Sequence, residues 1–320
     1  MIPHINVNPL IRPAFYNALR MCRASYILTG FDLNEFMKYK GEPMEGKVKI
    51  GVLVSGGGSN LQAILDGCGS GMIEGDVVFV GADNPDAGGL LRAEKHGIPT
   101  FVVDYADIIQ SFLEDPLQLR LPHDFQEQAI RSKLQGIPGN QDEMHLSSFL
   151  KTRAVAEAQL LENIEQFSFD LLVLAGFMRA LTPYFIDKVN TRPAEPRIMN
   201  IHPALLPAFP GVDGYGDTFR YGCKVAGCTV HFIDYGEDSG PIIAQSAFEI
   251  EETDTLESIR AKGLKREWAL YPTCIQQFAK GRLKTEQAVF TLKNGKQTSR
   301  TIVRILSGDD TDPTARVFST

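Results

Sequence analysis

Asn200 and His202 stand two positions apart in the segment RIMNIHPALLPAFPG (residues 197–211), separated by the apolar Ile201. In an extended backbone alternate side chains share a face, so a hydrogen-bonding amide and a titratable imidazole converge on one reacting group. Pro203, Pro207 and Pro210 follow at once. They remove backbone donors and fix φ, which takes the chain out of the strand in a stiff loop suited to holding a site. A single histidine at the end of an apolar strand is more often a satisfied core residue, so the weight of a catalytic reading rests on what other segments bring to it.

Two segments add chemistry. HFIDYGEDSGPII (231–243) carries three carboxylates, Asp234, Glu237 and Asp238, ahead of a Gly-Pro that opens a strand. Asp238 beside His202 is expected to raise the histidine's pKa and hold an imidazolium that can donate a proton or steady an oxyanion. The bland alternative is a solvated acidic turn. His231 reads as a structural residue of its own strand. VLVSGGGSNLQAIL (52–65) places Ser55, Gly56, Gly57, Gly58, Ser59 and Asn60 between a strand and a helix. Glycines let the backbone approach an anion, and Ser59 or Asn60 can cap the helix while its first amides point at phosphate. A tight, well-capped turn is the competing reading. The match to GxGxxG is imperfect and the Walker Gly-Lys-Ser/Thr is missing, so no dinucleotide or nucleoside triphosphate site is inferred.

These segments must be carried by a fold. From Lys49 apolar strands alternate with helical segments: KIGVLVS, a helix from Asn60, DVVFVGA, a helix around 90–96, then TFVV. That rhythm predicts a doubly wound, mostly parallel α/β sheet. It breaks at a polar stretch of about 104–147, read as an insertion with some helix, and resumes with a helix over 151–166, the strand DLLVLAG, a short helix opened by Pro183 and the strand RIMNIHP. CTVHFID and PIIAQSAFEI read as an antiparallel pair, 255–278 as a long helix, and AVFTLKNGKQTSRTIVRIL as a hairpin turned at Asn294-Gly295. The expected organisation is an N-terminal helical extension (1–46), a main domain (47–285) and a C-terminal hairpin and tail (286–320).

Composition narrows the function classes. The 320 residues are 43% hydrophobic and 22% charged, the balance of an ordinary globule. A net charge of -7 argues against general affinity for nucleic acid or acidic membranes, leaving local anion sites made from backbone amides. No apolar run spans a bilayer and the first residues lack a secretory pattern, so the expected location is cytoplasmic. The five cysteines are scattered without zinc-like spacing and are expected to be reduced thiols.

Taken in order, GGGSNLQAIL, LVLAGFMRALTP, MNIHPALLPAFPG, HFIDYGEDSGPII and REWALYP, spread over about 48–285, resemble the glycinamide ribonucleotide transformylases, within the wider family of 10-formyltetrahydrofolate transferases and hydrolases. The resemblance implies a parallel α/β sheet. It implies formyl transfer from 10-formyltetrahydrofolate, as cosubstrate, to the glycine amine of a ribonucleotide, with no metal and no covalent enzyme intermediate. By the resemblance His202 is proton donor and oxyanion stabiliser, Asn200 hydrogen-bonds the formyl group, and Asp238 tunes His202 and orders water. Gly58, Ser59 and Asn60 would hold the phosphoribosyl group, with Glu267 near its amine or ribose. The folate would meet Arg153, Met178, Arg179, Ala180, Leu181, Asn200, Asp234, Tyr235, Gly236, Glu237 and Asp238. The partners implied are small molecules, with no nucleic acid and no membrane; an oligomer is left open.

Three departures from the family pattern stand out: Ala204 replaces the usual serine, VDGYGDTFRYG follows Gly211 in place of a His-rich or Arg-Gln stretch, and Leu264 occupies a position often held by Lys or Gln, with Lys265 or Arg266 as stand-ins. The rival inside the family is hydrolysis of formyltetrahydrofolate. Methionyl-tRNA formylation is discounted because it calls for a basic C-terminal domain. A noncatalytic folate- or nucleotide-binding protein is the alternative from another class, disfavoured because a binding module has no use for Asn200, His202 and Asp238 together.

Overall fold

The computed structural model describes residues 46–117, 119–134, 143–191 and 195–306. The expected N-terminal extension, apart from Gly46, and the tail beyond 306 lie outside them. Five strands run parallel: β1 (Val48–Val54), β2 (Gly75–Ala82), β3 (Thr100–Val102), β4 (Leu171–Leu174) and β5 (Ile198–His202). Two more, β6 (Val225–Phe232) and β7 (Ile242–Glu249), continue the sheet antiparallel, giving the order β3-β2-β1-β4-β5-β6-β7. The expected doubly wound, mostly parallel sheet is what the chain forms.

Both faces of the parallel strands are covered, which is why they are apolar almost without interruption. Val48, Ile50, Val52 and Val54 of β1 point to one face and pack with α1 (Ser59–Gly69), α2 (Gly88–Lys95) and α8 (Leu256–Ala279). Leu53 points to the other, where Phe79, Leu172 and Leu174 meet α3 (Tyr105–Glu114), α5 (Glu143–Ile164) and α6 (Pro183–Val189). Gly51 is required on that second face, since a Cβ there would fall 2.1 Å from the Phe79 ring. On the first face the Tyr271 hydroxyl donates to the carbonyls of Leu174 and Met199, tying α8 across β4 and β5.

The helix ends follow their sequence signals. Thr182 caps α6 ahead of Pro183, accepting from the Tyr184 N–H, and Thr255 with Ser258 forms a capping box on α8. The hairpin is β8 (Leu283–Thr291) with β9 (Gln297–Ile305), a separate two-stranded sheet turned at Asn294 and Gly295, the latter at φ 77°.

Two details differ from the sequence reading. The helix expected over 151–166 starts at Glu143, eight residues earlier, because α5 runs on from the domain into the inserted stretch. The helix expected within that stretch is α3 and α4 (Glu127–Lys133). Gly214–Arg220, within the departed segment VDGYGDTFRYG, forms a helix, α7, that glycine content and lack of apolar period had hidden.

Candidate active site

The chain builds β1, β2 and β3 outward in one direction and then returns to place β4 on the other side of β1. The loops leaving β1 and β4 therefore diverge, and a crevice opens at the carboxyl ends of the strands, where open α/β sheets bind ligands. The two loops are fixed to each other: the Ser55 N–H donates to Gly176 O at 3.1 Å, and the Met178 N–H donates to the Ser55 hydroxyl at 2.8 Å. A cleft of about 1120 Å³ occupies the crevice.

One end is the glycine loop. Gly58 is the N-cap of α1 at φ 71°, ψ 33°, and a Cβ there would stand 2.7 Å from the Cα of Gly89. Only glycine suits both the left-handed backbone and the contact. The Gly89 N–H donates to Gly56 O at 3.0 Å and Arg92 Nε to Gly57 O at 2.7 Å, so α2 braces the loop from behind. The first amides of α1 are left at the cleft, an arrangement that favours an anion. Neither Ser59 nor Asn60 caps the helix with its side chain, contrary to the sequence reading. The Asn60 amide instead donates to Glu267 Oε2 at 2.7 Å, drawing together two candidates 207 residues apart.

In the middle sit Asn200 and His202, both lining the cleft from β5 while Ile201 turns into the core. His202 is only 3% exposed. Its Nδ1 lies 3.2 Å from Asp238 Oδ2 and its Nε2 2.7 Å from the Phe209 carbonyl. Both ring nitrogens thus face acceptors, which an imidazolium with an N–H on each satisfies at once. Asp238 Oδ2 also accepts from the Gly211 N–H at 2.8 Å. Asp238 and Phe209 have φ values of 48° and 54°, left-handed conformations uncommon away from glycine.

His231 joins this network rather than standing apart in its strand. The β5-β6 register sets it opposite Asn200, so both side chains share a face, and its Nε2 lies 3.2 Å from Asn200 Nδ2. Its Nδ1 is 3.0 Å from the Phe232 carbonyl and so must carry the proton, leaving Nε2 to accept from the Asn200 amide. Burial lowers the His231 pKa against the opposing pull of Asp238, favouring this neutral tautomer. The Asn200 amide is thereby oriented.

The far end is formed by Met178, Arg179, Ala180 and Leu181 with the loop Asp234, Tyr235, Gly236, Glu237 and Asp238. Arg179 forms an ion pair with the buried Asp83. Leu134, His145 and Leu146 from the inserted stretch, and Phe149 just beyond it on α5, also line this cleft. Arg153 does not: its guanidinium lies 4.9 Å from the ring centres of Tyr105 and Phe149, behind the cleft wall. Beneath the wall Glu157, fully buried, accepts from the Thr182 N–H at 2.7 Å and hydroxyl at 2.6 Å. Desolvation pushes its carboxyl up to about 8.

The departed segment also reaches the site. Tyr215 of α7 lines the cleft and donates its hydroxyl to Glu267 Oε1 at 2.8 Å. Leu264 lines the cleft, but Lys265 and Arg266 point to solvent; the basic side chain α8 presents there is Arg260. Ala204 is buried and its carbonyl accepts from the Thr229 hydroxyl. Tyr215 and His231 escaped the sequence reading because their partners are distant in the chain; only the strand register could have flagged His231.

The cleft thus runs from a glycine loop at one side of the sheet's switch point to an Asn-x-His strand end at the other, and residues 48–275 match the formyl transferase family. The chain belongs to that family. Among its relatives, the phosphoribosylglycinamide formyltransferase of Bacillus subtilis (strain 168) is 34% identical over 229 residues, covering 72% of this chain and 93% of the relative. The enzyme of the same name from Escherichia coli (strain K12) is 32% identical over 240 residues, covering 75% and 91%. The crystal structure of glycinamide ribonucleotide transformylase 1 from Symbiobacterium toebii superposes with a TM-score of 0.59 at 35% identity, over 82% of this chain and 96% of that one.

Proposed function

We propose that this chain transfers the formyl group of 10-formyltetrahydrofolate to the amine of glycinamide ribonucleotide. The observation that carries the reading is the continuity of one cleft from the glycine loop, through Asn200, His202 and Asp238, to the segment 178–181 and the loop 234–238. Anion-binding amides and a pocket for a bulky donor are thus separated by a proton-handling pair, the order that transfer between a phosphorylated amine and a folate requires. The relatives' names support it.

In this reading the first amides of α1, at Gly58, Ser59 and Asn60, hold the phosphate, while the folate lies along Met178, Arg179, Ala180, Leu181 and the loop Asp234–Asp238. As the amine adds to the formyl carbon, negative charge grows on the formyl oxygen and needs donors already in place. His202 supplies one by exchanging the Phe209 carbonyl for the formyl oxygen at Nε2, since parting from the Asp238 carboxylate at Nδ1 costs more. Asn200, oriented by neutral His231, supplies the second. The amine then loses a proton, the folate nitrogen gains one, and the bond between the formyl carbon and that nitrogen breaks as the oxyanion collapses, releasing the formylated amine and tetrahydrofolate. Asp238 holds His202 in place through that transfer and orders the water that relays the proton. Arg153 reaches the folate only if the Phe149 side moves.

The test is formyl transfer followed spectroscopically with purified protein, with and without glycinamide ribonucleotide. Turnover that requires the ribonucleotide is expected. Equal turnover without it would make the chain a hydrolase, and none in either case would overturn the reading.

A further inference from the structure

The acceptor end of the cleft contains a carboxylate whose two oxygens are both engaged before any ligand arrives. Glu267 is 5% exposed; Asn60 donates to Oε2 at 2.7 Å and Tyr215 to Oε1 at 2.8 Å. The Asn60 amide cannot be turned over, because its carbonyl oxygen would then face the carboxylate. That fixes Asn60 Oδ1 on the other side, where it is buried without a hydrogen-bond partner among the described residues. Glu267 lines the cleft, so the acceptors offered to a ligand there are the spare lone pairs of its carboxylate.

Tyr215 is seated with care. Its ring packs 6.3 Å from that of Phe248, and α8 makes room for it with Gly263, where a Cβ would stand 2.1 Å from Tyr215 Cζ. Asp213, at the start of α7, bonds Arg260 of α8 at 2.8 Å, holding the two helices in register. The residue belongs to the segment in which this chain departs from its family's pattern.

We propose that Tyr215 is a positioning residue for the acceptor substrate: its hydroxyl locks the Glu267 carboxylate, together with Asn60, into an acceptor-only wall that selects a ligand presenting adjacent N–H or O–H donors. This rests on the functional reading above, in which that ligand is glycinamide ribonucleotide. The shared chemistry is the donor pair, offered by the ribose diol or by the amine. Comparing the ribonucleotide with its 2′-deoxy analogue separates these sources, since only the diol loses a donor.

The experiment measures binding of glycinamide ribonucleotide by calorimetry, and both KM values in the formyl transfer assay, for the parent, Tyr215→Phe, Glu267→Gln and the double variant. Tyr215→Phe keeps the ring and its packing. It is expected to weaken ribonucleotide binding and raise its KM roughly tenfold, the worth of one hydrogen bond to a charged group, with the folate KM and kcat within twofold. In the Glu267→Gln background the same change is expected to have little further effect, because the locked group is gone. Unchanged ribonucleotide binding in Tyr215→Phe, equal rises in both KM values, or full additivity in the double variant would overturn the proposal. If Tyr215→Phe does not fold, Gly263→Ala, which displaces the ring from the other side, is expected to raise the ribonucleotide KM and spare the folate KM; no such split overturns it. A parent that binds the ribonucleotide without turning it over fails the functional reading alone. A parent that does not bind it overturns both.

Discussion

Two carboxylates support the cleft, one half-buried in its lining and one fully buried behind it, and they are built differently. Asp238 sits on a loop at a left-handed φ of 48°, accepting from the Gly211 amide and facing the His202 ring. Glu157 sits on a helix, fully buried, accepting from the amide and hydroxyl of one threonine. Each accepts from backbone N–H and from one side chain. The difference is the side-chain partner: an imidazole can exchange a proton near neutral pH and a threonine hydroxyl cannot. Strain and a titratable partner mark a reacting group. Burial on a helix with an inert partner marks an anchor, here for the turn that follows Met178–Leu181.

The largest effect that tests this contrast comes from Asp238→Asn, which keeps the size and an acceptor but removes the charge beside His202. The kcat for formyl transfer is expected to fall by about 10²–10⁴-fold, the usual worth of a positioned acid or base, with the thermal midpoint little changed. A fall of less than tenfold would put Asp238 with the anchors.

Glu157→Gln probes the other side. The wild-type carboxyl, at about 8 against an ordinary 4.5, binds its proton more tightly in the folded state. Its contribution is therefore fully present below pH 4.5 and lost as pH rises to 8, on the order of a few kcal/mol over that window. Glutamine does not titrate, so the variant's stability from urea unfolding is expected to vary less between pH 5 and 8 than the parent's. Its kcat is expected to stay within threefold. A pH response identical to the parent's would mean that Glu157 is not protonated in the fold.

His231 lies between these extremes, a buried neutral imidazole that touches the reacting pair without facing the substrate. His231→Ala frees the Asn200 amide and is expected to lower kcat about tenfold while leaving the shape of the pH–rate profile intact, since His231 orients Asn200 and exchanges no proton with the substrate. A changed profile would move His231 into the proton-transfer pair.

How much of this could be read from the chain follows the range of the forces involved. The parallel strands were legible because a sheet covered on both faces needs apolar runs, and the Asn200-His202 pair because strand alternation is local. Gly58 announced a loop for the same reason. The start of α5 was not legible, since EMHLSS carries no apolar period. Neither was α7: GYGDTFR becomes a helix through tertiary contacts, with Tyr215 packed against Gly263 and Asp213 paired with Arg260 and Arg220. Tyr215 meets Glu267 across 52 residues and Thr182 meets Glu157 across 25, pairings that no local pattern records.

The inserted stretch gives the smallest prediction and the least obvious one. Its helix α4 supplies Lys133, which bonds Asp187 of α6 at 2.5 Å, and the same carboxylate accepts from the Tyr235 hydroxyl at 2.5 Å. Lys133 also lies 5.7 Å from the Tyr235 ring centre. Tyr235 belongs to the loop that carries Asp238. Asp187 is thus a hub joining the insertion to the far end of the cleft, but its partners are part-exposed and such pairs are individually weak. Asp187→Ala is expected to raise the folate KM two- to threefold, roughly half a kcal/mol, and to leave the ribonucleotide KM and kcat unchanged. Because Asp238 is held by Gly211 and His202 rather than by Tyr235, a fall in kcat would show that the loop transmits motion from insertion to reacting carboxylate, and the separation between anchor and reacting group would have to be redrawn at residue 235.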